Sequence, residues 1–336
     1  LSAYFALRDE VPKVLQDLKP DLVVGHMSYG TMLFLKNLYP KAKFVGYFEV
    51  LPAPFWSDEL SLRPDFPAAE GVRLFNAFYH TFTHLHLNLC DACYTPTLWQ
   101  YETCPKEWRH KLRVIHDGID CDFFARREIP RPVEFHGVHI PEGTKVVTYV
   151  SRGLESARGF DVFMKVVKRV AAEMPNVLFL VAGSDRCNYG HETPYIGGKT
   201  FKEWVLAQDE YPLDRIHFLG VIPTPDFKTL LDLSDLHVYL TTNYVLSWSM
   251  MQAMANGCCV LGSATSPVQE VISGCHNGIL RDFYDDEGLA AEAVYLLKNP
   301  KRTRFYGDMA RETILDRYEA KKCIGKLVSL FEEVAG

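Results

Sequence analysis

Two arginines, Arg152 and Arg158, stand six positions apart between an apolar run and an amphipathic one. Guanidinium groups bind phosphate oxygens in a bidentate manner. The first turn of a helix adds free N–H groups and the positive end of its dipole. The spacing therefore predicts an anion site, most simply one for phosphate. A pair of surface arginines with Glu155 as their ionic partner is an alternative that spacing alone leaves open.

A second segment with phosphate-binding character runs from Thr241 to Gly257. We predict that Ser249 caps a helix and that Gly257 ends it. The backbone N–H groups of the turn before that helix would then face an anion. Gln252, three residues after the predicted cap, suits either a capping box or a bound ligand.

The cysteines and acidic pairs do not make a strong metal motif. Nine cysteines in a long chain suit reduced thiols. The motif Cys90-x-x-Cys93 would need the widely separated Cys104 and Cys121 to complete a zinc ligand set. Asp120-x-Asp122 resembles the metal-binding pair of some sugar transferases, but its place after a strand favours a turn or a helix cap. We therefore predict no metal and no cofactor.

Short apolar strands alternate with longer helical stretches around these residues. This alternation predicts an α/β fold with doubly wound parallel sheets covered by helices. A stretch rich in proline, glycine and charge interrupts the pattern, which suggests two domains joined by a linker. We predict an N-terminal Rossmann-like domain at 1–128, a linker at 129–145, a second Rossmann-like domain at 146–318 and a C-terminal helix at 319–336. The last helical stretch is expected at 301–334, and the C-terminal helix at 319–336 is expected to pack back on the first domain.

Composition and charge narrow the class of protein. The chain has 336 residues and a formal net charge of −6, which argues against a nucleic-acid-binding protein. No apolar run approaches the roughly 18–20 residues that cross a bilayer. We expect a cytoplasmic protein that could lie at the inner face of a membrane.

An ordered set of short motifs runs along nearly the whole chain. It includes Gly25-His26, Gly46-Tyr-Phe-Glu49, Thr95-Pro96-Thr97, Ile115-His-Asp-Gly-Ile-Asp120, Arg152-x5-Arg158-Gly159, His217-Phe-Leu-Gly220, Val245-Leu-Ser-Trp-Ser249, Gln252-Ala-Met-Ala-x-Gly257 and Pro267-Val-x-Glu270. Each motif is weak alone, but the ordered set resembles the retaining glycosyltransferases of family 4, which have the GT-B fold. The Val245–Ser249 segment narrows the resemblance to a bacterial branch of that family.

This resemblance implies two domains that face each other across a cleft and transfer a sugar from a nucleotide sugar, most simply a UDP-sugar, with retention and without metal. Arg152 and Arg158 match the basic residues on the donor diphosphate, and His26 matches a histidine that reaches the donor sugar. Glu49 and Tyr29 would face an unidentified acceptor. The residues implied on the sugar-donor side are Gly183, Val221, Tyr244, Leu246, Ser247, Trp248, Ser249 and Gln252.

Two departures from the family pattern keep alternatives open. The family's E-x7-E motif has Tyr244 and Gln252 here, and a neutral amide binds a ribose hydroxyl more weakly than a carboxylate does. The family's first strand and glycine-rich loop precede the point that matches Asp21, so we expect either a fragment or a second chain that supplies those strands. The alternatives are a non-catalytic homologue that binds nucleotide sugars or supports a partner enzyme, and a nucleotide-sugar epimerase.

Overall fold

A computed structural model describes residues 18–27, 32–50 and 63–336, which divide into two units. Of these residues, 18–27, 32–50, 69–118 and 320–336 belong to unit 1. Residues 63–68 and 119–319 belong to unit 2. Both units are therefore assembled from separate stretches of the chain.

Unit 1 is built on a four-stranded parallel sheet. Its elements are β1 (Leu22–His26), α1 (Met32–Leu38), β2 (Lys43–Tyr47), α2 (Glu70–Leu89), β3 (Ala92–Thr95), α3 (Leu98–Thr103), β4 (Leu112–Val114) and the C-terminal helix (Ala320–Ala335). The strand order is β1-β2-β3-β4. Adjacent residues of β2 serve opposite faces, because Phe44 packs in one apolar cluster and Val45 in another that includes Leu330 of the C-terminal helix.

Unit 2 is built on a six-stranded parallel sheet and a small antiparallel hairpin. Its strands are β5 (Val133–Phe135), β6 (Val138–Ile140), β7 (Lys145–Gly153), β8 (Val177–Ser184), β9 (Ile216–Gly220), β10 (Leu236–Tyr239), β11 (Val260–Ser263) and β12 (Ile279–Arg281). Its helices are α4 (Phe160–Glu173), α5 (Phe201–Leu206), α6 (Thr224–Leu233), α7 (Trp248–Asn256), α8 (Ser266–Gln269), α9 (Asp286–Lys298) and α10 (Pro300–Arg317). The order of the large sheet is β12-β11-β10-β7-β8-β9.

Strand β8 shows why unit 2 has two cores. Phe179 and Val181 pack in the apolar cluster that includes α4 and α9, whereas Leu180 and Ala182 pack in the cluster that includes α6 and α7. A strand covered on both faces reads as an uninterrupted apolar run, as β8 does. Full burial of a side chain as large as Phe179, Leu180 or Val181 stabilises the fold by about 1.5–3 kcal/mol.

The prediction of a linker at 129–145 is corrected by the structure, because β5 and β6 form a hairpin there. Phe135, Val138 and Ile140 are buried in the same cluster as Leu180 and Phe227. The proline and charged residues of this segment indicated a linker, but three apolar residues anchor it to unit 2. The division between the units lies between Gly118 and Ile119, ahead of the predicted boundary at 128.

The helical stretch predicted at 301–334 is two helices, α10 and the C-terminal helix. The chain between them is held by Ile119, whose N–H donates to the carbonyl of Tyr318 and which forms an isolated bridge with Glu319. This break is where the chain passes from unit 2 to unit 1. Among the described residues, no helix combines the length and the apolar character that a membrane span needs.

The short segment before α2 packs in unit 2. Arg63 is only 3% exposed and donates to both carboxylate oxygens of Asp161, at 2.9 and 2.8 Å, and to the carbonyl of Ser156 at 2.9 Å. Phe66 packs edge-on against Phe201 and Trp204. An ionic anchor and an aromatic anchor therefore fix this segment to the helices of unit 2.

Candidate functional site

A cavity of about 680 Å³ lies at the carboxyl ends of β7, β8 and β9, beside the first turn of α7. Open parallel α/β sheets bind their ligands at this edge. The cavity brings together six of the residues that the sequence singles out, namely Arg152, Gly183, Val221, Ser247, Ser249 and Gln252.

Ser247, rather than the predicted Ser249, caps α7. The Ser247 hydroxyl accepts a hydrogen bond from the N–H of Ser249 at 3.3 Å, and the two hydroxyl oxygens are 2.8 Å apart. Gly257 ends the helix with a φ of 86°, as expected. Because the cap lies two residues earlier, Gln252 does not occupy the capping-box position, and it contributes to the cavity wall.

Two glycines allow the turns of the site to pack closely. A Cβ atom on Gly183 would lie 2.6 Å from the carbonyl oxygen of Ser151. Gly159 has a φ of 63°, and a Cβ atom there would lie 2.9 Å from Cβ of Leu240. A larger residue at Gly183 would press on the backbone just before Arg152. One at Gly159 would be strained and would meet the side chains of Leu240 and Phe283.

The two arginines occupy different environments. Arg152 is exposed and lines the cavity, and its Nη1 donates to the hydroxyl of Tyr189 at 3.1 Å. Arg158 is 5% exposed, and its Nη1 donates to the hydroxyl of Thr241 at 2.6 Å. Arg158 is absent from the described residues that line the cavity. Arg152 is thus placed for ligand contact. Arg158 is instead packed inside unit 2 and hydrogen-bonded to Thr241.

Tyr189 is a site residue that the sequence analysis missed. The centre of its ring lies 5.0 Å from Cζ of Arg158 and 5.1 Å from the ring of Tyr244. Its hydroxyl accepts the hydrogen bond from Arg152. Tyr189 therefore contacts both arginines, and only the fold reveals this, because it lies in the loop after β8, far from them along the chain.

Glu155 forms no salt bridge with Arg152 or Arg158, which corrects that alternative. Its Oε2 accepts hydrogen bonds from the backbone N–H groups of Asn188, Tyr189 and Gly190, at 2.5, 2.7 and 3.1 Å. Burial raises the pKa of the Glu155 carboxyl, and the three N–H groups and the charge of Arg158 oppose that rise. No ion pair involving Glu155 occurs within residues 18–27, 32–50 and 63–336.

The remaining residues predicted on the sugar-donor side lie next to the cavity. Leu246 is buried in the apolar cluster with Met250 and Met251, whereas the Trp248 side chain is 55% exposed. Neither is among the described residues that line the cavity, and Tyr244 is not among them either. These three residues therefore lie beside the cavity wall in sequence and are not part of it.

One group in the part of the chain that the structure describes has the composition of a metal ligand set, namely Glu155, Cys187 and Glu192. Glu192 accepts hydrogen bonds from the N–H and hydroxyl of Ser156, at 3.2 and 2.6 Å. Burial and the two carboxylates raise the pKa of the Cys187 thiol to about 12. Both carboxylates accept hydrogen bonds from the protein, while Oε1 of Glu155 is buried without a hydrogen-bond partner among the described residues.

The cysteines considered as a zinc set are divided between the units. Cys90, Cys93 and Cys104 lie in an apolar cluster of unit 1, and Cys121 lies in a cluster of unit 2. Asp120 accepts from the N–H of Phe123 at 2.8 Å, so it serves a turn.

Unit 1 carries a second cluster of polar side chains at the carboxyl ends of its strands. Nε2 of His26 lies 3.3 Å from Oε2 of Glu49, and the His26 ring lies 4.9 Å from that of Tyr47. The Tyr47 hydroxyl donates to Oδ2 of Asp117 at 3.3 Å. Two predicted residues, His26 and Glu49, are therefore together, and Tyr29 lies outside the described residues.

Asp117 and Tyr47 were missed as site residues, although both lie in motifs of the sequence. Burial raises the pKa of the Asp117 carboxyl, whereas the Tyr47 hydroxyl bond lowers it. Burial and the nearby carboxylates raise the pKa of Tyr47. The neighbouring His116 is held neutral by burial, which lowers its pKa to about 4, and its Nδ1 accepts from the N–H of Gly118.

Two family models match this chain. The model described as glycosyl transferases group 1 matches residues 131–313, more than half of the chain, and the glycosyl transferase family 4 group matches residues 9–124. The chain belongs to the glycosyl transferases group 1 family, and its two parallel-sheet units are those of the GT-B fold. The resemblance and the fold class inferred from the motifs are thereby confirmed.

The chain is similar to several characterised proteins. N-acetyl-alpha-D-glucosaminyl L-malate synthase of Bacillus anthracis is 24% identical over 66% of this chain and 54% of its own length, so the chain spans about half of this relative. Anabaena HepE in complex with UDP and glucose has a TM-score of 0.71 at 15% identity, over 96% of this chain and 80% of HepE. Sucrose-phosphate synthase from Thermosynechococcus elongatus has a TM-score of 0.70 at 17% identity, over 97% and 76%.

Proposed function

We propose that this protein transfers a sugar from a nucleoside-diphosphate sugar, most simply a UDP-sugar, to an acceptor, with retention of anomeric configuration and without a metal ion. The observation that carries the proposal is the cavity of unit 2, where Arg152 and the capped first turn of α7 meet at the carboxyl edge of the sheet. The structure of HepE with UDP and glucose supports a UDP-sugar for a protein of this fold.

The chemistry of the site suits a diphosphate leaving group. Negative charge grows on the leaving phosphate as the bond to the sugar breaks, so fixed cations and helix N–H groups aimed at it stabilise the transition state. Arg152 supplies the exposed cation, and the buried Arg158 adds a second positive charge. Gln252 lies on the cavity wall, where its amide suits a ribose hydroxyl.

The acceptor side is assigned to the unit 1 cluster of His26, Tyr47, Glu49 and Asp117. These side chains offer carboxylate oxygens, a hydroxyl group and an imidazole at strand ends, which suits the orientation of an acceptor hydroxyl group. A nucleophilic role is not assigned to any of them.

A thermal-shift screen tests the sugar-donor site. The purified chain is heated with UDP, GDP, ADP and dTDP and with their common sugars, and the Arg152→Ala variant is the comparison. A ligand that binds the native state raises the unfolding midpoint by mass action. We expect one base to give a shift that the variant lacks. No shift with any of the four bases would contradict the proposal.

Turnover experiments test the transfer itself. NMR of the product reports whether the anomeric configuration of the donor sugar is retained, and an inverted product would contradict that part of the proposal. Activity that survives exhaustive EDTA treatment is expected if the arginines neutralise the diphosphate, and activity restored only by a divalent cation would overturn metal independence.

A second candidate is a non-catalytic chain that binds a nucleotide sugar and supports a partner. Gln252 favours it, because the family pattern that the motifs resemble implies a glutamate at this position. The two candidate functions differ in whether the bound nucleotide sugar is turned over. A non-catalytic chain binds the nucleotide sugar and neither hydrolyses nor transfers it, whereas a transferase gives slow hydrolysis even without its acceptor.

A further inference from the structure

One oxygen of Glu155 organises the loop that follows β8. Its Oε2 accepts the N–H groups of three successive residues, 188–190. Residues 185–188 of the same loop are exposed, so little apolar burial fixes this stretch. A buried carboxylate that gathers three N–H groups is therefore the main anchor of this part of the loop.

The residue at the centre of this anchored stretch is Tyr189. Its hydroxyl accepts from Nη1 of Arg152, and its ring lies 5.0 Å from Cζ of Arg158. A hydrogen bond at one guanidinium and a ring face at the other restrict the orientation of both groups. The ring of Tyr244 lies 5.1 Å from the ring of Tyr189 and limits its rotation further.

We propose that Tyr189 positions Arg152 and Arg158 for the diphosphate of the sugar donor, and that Glu155 acts through Tyr189 by holding its loop. This inference rests on the proposed function, because it adds two positioning residues to the same site. Its physical basis is preorganisation: a guanidinium that is already oriented loses less freedom when it binds phosphate.

Calorimetric titration with UDP and with uridine tests the proposal. Tyr189→Phe removes only the acceptor for Arg152, and Tyr189→Leu also removes the ring beside Arg158. We expect UDP binding to weaken about fivefold in the first and about tenfold in the second. Uridine lacks phosphate, so its affinity is expected to stay within about twofold of the wild-type value.

Glu155→Gln tests the second step. It is expected to weaken UDP binding about fivefold without changing uridine binding, because the neutral amide holds the N–H groups less strongly. If Glu155 acts through Tyr189, the double variant Glu155→Gln/Tyr189→Leu binds UDP like Tyr189→Leu alone, within about twofold.

Matched controls come from elsewhere in unit 2. Tyr295→Phe removes a hydroxyl from another tyrosine–arginine pair, in which Arg302 donates to Tyr295 and lies 5.8 Å from its ring. Glu203→Gln alters another carboxylate that accepts a backbone N–H, that of Thr200. Both controls are expected to bind UDP and uridine like the wild type.

Three results would overturn the inference. They are unchanged UDP binding in the Tyr189 variants, a parallel loss of UDP and uridine binding, and losses from Glu155→Gln and Tyr189→Leu that simply add. A Glu155→Gln chain that does not fold leaves the decision to the two Tyr189 variants. If the wild-type chain binds no nucleoside diphosphate, the proposed function fails together with this inference. If the wild type binds UDP and the Tyr189 variants bind it equally well, only this inference fails.

Discussion

The guanidinium of Arg63 donates two hydrogen bonds to the carboxylate of Asp161, although the two residues are 98 positions apart. Arg63 also lies over the ring of Phe66, at 5.2 Å from Cζ to the ring centre. The same arginine donates to the carbonyl of Ser156, at the start of the turn that carries Arg158. This ion pair therefore ties a segment from the first half of the chain to the backbone of the candidate site.

The first prediction concerns the stability of unit 2. Arg63→Ala leaves the largely buried Asp161 carboxylate without its partner, so we expect the free energy of unfolding to fall by about 3–5 kcal/mol. Urea denaturation measures the change. Asp65→Asn is the control, since the Asp65 side chain is 50% exposed, and a loss of similar size in both variants would refute the assignment to the buried pair.

The second prediction separates the two arginines of the site. Arg152→Ala is expected to weaken UDP binding with little change in the unfolding midpoint, because Arg152 is exposed. Arg158→Ala is expected to lower both the affinity for UDP and the unfolding midpoint, because it leaves the buried hydroxyl of Thr241 without the donor Arg158. Arg186→Ala, which removes another exposed cation from the cavity wall, is the comparison. Equal effects of all three on UDP binding would indicate only a general loss of positive charge.

The third prediction concerns Gln252. Introducing a carboxylate with Gln252→Glu should tighten binding of a nucleoside diphosphate about three- to tenfold, since a charge-assisted bond to a ribose hydroxyl is stronger than a neutral one. Titration of both proteins with UDP measures it. Gln269→Glu adds the same charge on an exposed residue outside the cavity wall. Tighter binding in both variants, or in neither, would speak against a ribose contact.

The fourth prediction assigns the unit 1 cluster to the acceptor. Asp117→Asn and His26→Ala are expected to lower kcat/KM for transfer by at least about tenfold, while the dissociation constant for UDP stays unchanged. Glu107→Gln changes an exposed carboxylate elsewhere in unit 1 and is expected to leave both quantities unaltered. If the Asp117 and His26 variants lose UDP binding instead, these residues do not serve the acceptor.

The fifth prediction follows from His237, which is fully buried between strands of unit 2. Burial lowers its pKa from 6.5 to about 4, and its Nδ1 lies 2.9 Å from the hydroxyl of Thr148. The unfolded chain therefore binds a proton that the folded chain rejects between these values. Stability is complete above about pH 6.5 and falls as the pH drops to 4, by up to about 3 kcal/mol from this group.

Unfolding midpoints measured from pH 4 to 7 test this dependence. His237→Gln is expected to flatten the curve relative to the wild type, even if it lowers stability at pH 7. His116, whose pKa burial also lowers to about 4, contributes in the same direction. The same slope in the wild type and in the variant would show that His237 does not titrate in this range.

The parallel sheets and the candidate cavity were predictable from the sequence because each signal is local. Apolar runs such as β8 mark strands covered on both faces, and the residues after them fall at one edge of the sheet. Arg152 and Gly183 could therefore be placed together. The helix cap was misplaced by two residues because Ser247 and Ser249 are both suitable caps.

Features that depend on distant residues could not be predicted. Nothing near Tyr189 in the chain indicates that it contacts Arg152 and Arg158, because that proximity arises only when β7 and β8 pair. Likewise, Phe135 and Ile140 anchor a hairpin through burial against residues of other elements. A segment with three prolines reads as a linker until its apolar partners are known.

The C-terminal helix has a consequence for synthesis on the ribosome. It belongs to unit 1, where Leu330 packs in one cluster with Val45 and Ile115. Unit 1 therefore cannot close that cluster until Leu330 has emerged, whereas the described residues of unit 2 all lie upstream of residue 320. Unit 2 can complete its folding first, which reverses the usual N-terminal-first order of multidomain proteins.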